Sequence, residues 1–148
     1  KGINTLIAEK LINILSKYGR VYITSERELE PQFEQYRIAI NPLHIHDALY
    51  FAQMYIGDSQ TMAAEAAVLG TPAIRFNDFV GQISYLEELE KEFALTFGFK
   101  TNNADAMLTH IESLLNQQDL KQQWQYKRSK MLSQCIDLNQ FMIKLLAN

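Results

Sequence analysis

A parallel α/β sheet of four to five strands, with helices on both faces and a helical tail, is the fold this sequence predicts. Three observations predict it. Short β-rich runs alternate with helical stretches, the pattern that builds parallel sheets covered on both sides. The 148 residues form one domain, large enough to bury a core. Finally, Tyr55-Ile56 runs into a Gly57-Asp58-Ser59 turn and then an alanine-rich helix, which Gly70 and Pro72 close as helix ends prefer.

Each element follows in order. Residues 3–18 read as an amphipathic helix with Leu6, Ile7, Leu11, Ile14 and Leu15 on one face, ended by Gly19. Residues 21–24 and 36–40 read as strands, joined by a connection through Pro31; Asn41-Pro42 breaks the second. Residues 46–53 form a helix carrying Leu49, Tyr50 and Ala52. After the strand and helix of the 55–70 motif, residues 72–76 make a further strand, residues 83–93 a helix, and residues 95–97 a last edge strand. From there the chain is helical over 104–116, 119–135 and 138–147, with Trp124, Met131 and Leu132 packing inward.

Composition narrows the function. A net charge of −3 with dispersed Lys and Arg gives no footprint for nucleic acid. No apolar run approaches a membrane span and no signal peptide opens the chain, so a cytoplasmic location is expected. The single Cys135 excludes an internal disulfide and, in an apolar-periodic helix, reads as a core thiol. His44, His46 and His110 lack neighbouring ligands for a metal, so neither a metal nor a cofactor is expected.

Ligands of open parallel sheets sit beyond the carboxyl ends of the strands, which directs attention to Ser25, Asn41, Asp58, Ser59, Asn77 and Asp78. At the 55–70 motif, the amides of Gln60, Thr61 and Met62 are expected as open donors at a positive helix end, suited to a phosphate. Thr61 and Glu65 are four residues apart and share a helix face. A hydroxyl at the mouth and a carboxylate one turn deeper suit a phosphate and a ribose diol. The plainer reading makes Ser59 an ordinary cap, Asp58 a complement to the helix dipole and Glu65 a solvent-facing side chain. His44 and His46 near the mouth are titratable, with local hydrogen bonding as their simpler role. Arg75 meets either a phosphate or an ordinary ion pair.

The run Gly57-Asp58-Ser59-Gln60-Thr61-Met62-Ala63-Ala64-Glu65-Ala66-Ala67-Val68-Leu69-Gly70-Thr71-Pro72 resembles the second-domain signature of GT-B-type proteins. The well-understood relative is UDP-N-acetylglucosamine 2-epimerase, whose motif reads Asp-Ser-Gly-Gly, Glu-Glu-Ala and Leu-Gly-Lys-Pro. A family of predicted glycosyltransferases related to that epimerase is more similar still, and the resemblance extends almost end to end. It includes residues 19–26, residues 83–89 and the Trp124, Arg128, Met131 and Leu132 tail. The resemblance implies a Rossmann-like domain binding a UDP-sugar as donor substrate. Ser59 with the Gln60 and Thr61 amides and Met62 would hold the diphosphate, Glu65 the ribose, and Pro42-Leu43 would precede the region that receives the base. Arg75 matches a family arginine after the following strand. Gln60-Thr61 replaces the epimerase's glycine pair, and the epimerase's next motif is absent, which counts against 2-epimerase chemistry.

The resemblance also implies a partner: a preceding Rossmann-like domain that closes the active-site cleft, this chain being the second half. The strand expected before the first helix is absent from the sequence. Either residues 21–24 then pair with 54–56, or another segment or a second copy fills the place, and self-association or a rearranged sheet is expected. The alternatives to a glycosyltransferase domain are an epimerase or hydrolase acting on the same nucleotide sugar, a non-catalytic binding or assembly module, and a flavodoxin-like regulatory domain. The last would carry an acidic cluster at the end of its first strand, and that strand is the one missing here.

Overall fold

A computed structural model describes residues 2–147. Its core is a parallel three-stranded sheet in the order β1 (Tyr55–Gly57), β2 (Ala73–Phe76), β3 (Thr96–Phe99). The register sets Ile56 beside Ile74 and Ile74 beside Phe97. β2, the central strand, is buried at every residue, whereas Tyr55 and Ile56 of β1 are half-buried.

Helix α1 (Thr5–Leu15) starts where Asn4 Oδ1 accepts from the Ile7 amide at 3.0 Å, and it buries Ile7, Leu11 and Ile12. Leu6, expected on the buried face, is exposed. The expected strands at 21–24 and 36–40 shrink to a single parallel bridge between Ile23 and Arg37. Ile23 donates to the Tyr36 carbonyl, and Ile38 donates back to Ile23. Val21, Ile23, Ile38 and Ile40 are half-buried and alternate with more exposed neighbours, so the two-residue period survives without a ladder. The tight turn Pro31–Tyr36 and the 3-10 turn Pro42–His44 leave little room for a longer pairing. Among the described residues the sheet therefore has three strands, not the four or five expected. Residues 21–24 bond to 36–38 and not to β1, whose second edge pairs with none of the described residues.

The short helix α2 (Ile45–Phe51) leads into β1. Helix α3 (Gln60–Leu69) then crosses to β2, and α4 (Ser84–Lys91) to β3. Ala63, Ala66 and Ala67 of α3 are fully buried, and side chains that small let the helix lie close to the sheet. Gly70 ends α3 with φ 77°, the left-handed conformation that glycine adopts without strain. Helix α5 (Ala104–Leu115) covers the other face. Phe97 and Phe99 meet His110 of α5 with ring centroids 4.4 and 5.5 Å apart, while the Cα of Gly98 between them faces Arg75 and Val80 on the α4 side.

Helix α6 (Leu120–Gln134) fastens the amino ends of the strands and the end of α3. Trp124 Nε1 donates to the Leu95 carbonyl at 2.9 Å, and Gln125 Nε2 donates to Leu69 at 3.0 Å. Trp124 and Met131 are buried as expected, but Leu132 is exposed. Cys135 ends α6 and is exposed rather than in the core. Helix α7 (Leu138–Leu146) buries none of its residues. Among the described residues, no helix is long and apolar enough to cross a membrane.

Candidate functional site

The turn from β1 into α3 lies at the carboxyl edge of the sheet, where an open parallel sheet receives its ligand. Ser59 is the N-cap of α3, its Oγ accepting from the Met62 amide at 3.3 Å. That bond uses one of the three donors expected to be open. The Gln60 and Thr61 amides have no acceptor among the described residues and remain available at the positive end of the helix.

Two side chains fix this turn. Asn77, which follows β2 and is 3% exposed, donates from Nδ2 to the Asp58 carbonyl at 3.0 Å. Its Oδ1 accepts from Gln60 Nε2 at 3.0 Å and from the Phe79 amide at 2.9 Å. The Gln60 side chain is thereby turned against Asn77, so the crowding expected where the epimerase has glycine is relieved sideways. Tyr55 is the second. Its ring folds over Gly57, where a Cβ would overlap the phenol oxygen, which brings that oxygen close to Ser59. Burial, reinforced by the nearby Asp58 carboxylate, pushes the phenol up to about 12, so Tyr55 stays protonated at neutral pH.

Sequence reasoning read Tyr55 only as an apolar strand residue. The signal that marks it is Gly57 two positions on, because both side chains of a strand at i and i+2 share one face.

Glu65 sits in mid-helix, its side chain 34% exposed, with Oε2 3.4 Å from Nε2 of His46 on α2. His44 pairs with Asp47 of its own turn at 3.3 Å. Thr61 is exposed at the mouth of the helix. Leu43 lies in the exposed turn before α2, and Asn41 Oδ1 accepts from its amide at 3.0 Å.

Arg75 is not brought to this open surface. Its side chain is fully buried and paired with Glu90, with Glu87 at 3.5 Å, both from α4. Of its two expected partners the structure supplies carboxylates. Among the described residues, no three His, Cys, Asp or Glu side chains gather in a metal-holding group.

A cavity of about 220 Å³ opens beside the turn, lined by Gly2, Ile3, Arg27, Asp58, Asn77 and Phe79. Comparison with protein families, with curated proteins and with solved structures returned no match. The site's own chemistry is open amides at a helix start, a hydroxyl cap beside a protonated phenol, and a half-exposed carboxylate further along the same helix.

Proposed function

We propose that the chain is the nucleotide-sugar-binding domain of a GT-B-like glycosyltransferase, and that the carboxyl end of β1 with the start of α3 holds a UDP-sugar. The observation that carries this reading is the pair of amides at Gln60 and Thr61, unpartnered among the described residues, on a helix whose Glu65 carboxylate is accessible to solvent. The diphosphate meets the two amides and the exposed Thr61 hydroxyl, where the helix end favours negative charge. Ser59, already committed to the Met62 amide, shapes the turn more than it grips the ligand. Glu65 accepts from the ribose hydroxyls, and the turn carrying Leu43 lies toward the base.

The chemical contribution of this half is electrostatic. Donors fixed before the ligand arrives stabilise the charge that builds on the diphosphate as the sugar leaves. The opposing domain completes the cleft and supplies the acceptor side. Family resemblance at residues 57–72 supports the choice of a sugar nucleotide over other phosphorylated ligands.

Glu65→Gln tests the ribose assignment. It weakens UDP more than a diphosphate of 2′,3′-dideoxyuridine, by about one hydrogen bond to a charged group, 1.5–3 kcal/mol. Equal losses for both nucleotides remove Glu65 from the site.

A further inference from the structure

The cavity beside the β1–α3 turn is built where two strand ends and two loops converge. Asp58 follows β1, Asn77 and Phe79 follow β2, Gly2 and Ile3 precede α1, and Arg27 comes from the loop beyond Ile23. Its volume of about 220 Å³ lies below the roughly 300–1,000 Å³ of sites that enclose a whole drug-sized ligand, so it takes one ring and not a nucleotide.

The lining narrows the ring further. Asn77 is spent within the protein, on Gln60, Phe79 and Asp58, and acts as a rigid wall. Asp58 and Arg27 end no ion pair among the described residues, so the residues lining one small space include one with an acceptor-only carboxylate and one with a five-donor guanidinium. An anionic ligand would be attracted by Arg27 but repelled by Asp58, and a cation the reverse. A neutral ring bearing several hydroxyls satisfies both, since each hydroxyl donates and accepts. Phe79, 59% exposed, offers an aromatic surface to the C–H face of such a ring.

We propose that this pocket receives the hexose of the bound sugar nucleotide, an assignment that rests on the sugar-nucleotide reading of the α3 site. The ligand then runs from Glu65 against α2, across the Gln60 and Thr61 amides, to the sugar between Asp58, Arg27 and Phe79. Arg27 and Phe79 become the residues that distinguish a sugar nucleotide from the bare diphosphate.

Amide-resolved NMR titrations of the chain with UDP and with UDP-glucose test this, repeated on Arg27→Met and Phe79→Ala. Both altered side chains are surface-exposed, so the fold survives. The expected result is that both nucleotides shift Gln60 and Thr61, but only UDP-glucose shifts Asp58, the Asn77 side-chain amide and Phe79. UDP-glucose then binds about two- to tenfold tighter than UDP, and each variant abolishes that advantage while leaving UDP unchanged. If UDP-glucose shifts α3 and leaves residues 77–79 still, or if the variants weaken both nucleotides equally, the pocket assignment is overturned and the α3 site stands. If neither nucleotide shifts Gln60 or Thr61, the sugar-nucleotide reading itself fails and the hexose assignment with it.

Discussion

Oε2 of Glu65 on α3 lies 3.4 Å from Nε2 of His46 on α2, so the carboxylate assigned to the ribose already has a neighbour that competes for it. Both groups are solvent-accessible, and exposed pairs of this kind contribute about 0.2–1 kcal/mol. His46→Ala therefore strengthens UDP binding by no more than about fivefold. In a Glu65→Gln background the same substitution changes nothing. Calorimetric titration of the four proteins measures the coupling, and a gain that persists without Glu65 contradicts the competition.

Asn77 ties the β1–α3 turn to the loop that follows β2. Asn77→Ala removes its bonds to Gln60, Phe79 and Asp58, each contributing roughly 0.5–1.5 kcal/mol, and destabilises the fold by about 2–3 kcal/mol in urea denaturation. Asn77→Asp keeps the acceptor for Gln60 and Phe79 but loses the donor to Asp58. Equal stability of Asn77→Ala and the native chain would show that the network is not tight in solution.

Arg75 is a buried cation between two carboxylates of α4, so removing it alone strands charge. Arg75→Ala is expected to cost about 3–5 kcal/mol, whereas Arg75→Met combined with Glu90→Gln recovers most of that loss. Glu87 retains Lys91 at 3.2 Å in the double variant. Thermal unfolding of the two variants compares them directly. A double variant no more stable than Arg75→Ala would mean that Arg75 acts through packing.

His110 gives the fold a pH dependence. Burial, with Lys127 nearby, holds its imidazole below the usual value, and Nε2, beside Phe97 and Phe99, is buried with no hydrogen-bond partner among the described residues. The unfolded chain then takes up a proton that the native state refuses. Stability from this group is complete above the unfolded value near 6.5 and falls as pH drops below it. His110→Phe removes that loss, so the urea midpoint of the native chain falls further between pH 7.5 and 5.5 than the variant's. Identical falls would assign the acid sensitivity elsewhere.

The helices were legible in the sequence because local signals set them. Asn4, Ser59 and Asp137 cap their helices through their own side chains, and Gly70 stops α3 where its positive φ is needed. The runs at 21–24 and 36–40 misled because β-propensity records a fit to a pleated surface, while a strand also needs a neighbour to bond. Only Ile23 and Arg37 find one. Around the candidate site, Ser59 could be read as the cap of α3, and Thr61 and Glu65 as sharing one face of that helix. Tyr55, Arg27 and the fate of Arg75 could not, since each depends on a contact between segments distant in sequence. The mixed apolar and polar composition of residues 138–146 likewise gave no sign that α7 would bury nothing.

Whether the start of α3 holds a sugar nucleotide is tested by an amide-resolved NMR titration of the chain with UDP, UDP-N-acetylglucosamine and ADP. The expected result is that the uridine ligands shift the Gln60 and Thr61 amides, bind in preference to ADP, and lose affinity in Glu65→Gln. Binding that leaves those two amides unmoved, or no binding at millimolar concentration, about −4 kcal/mol, would contradict it.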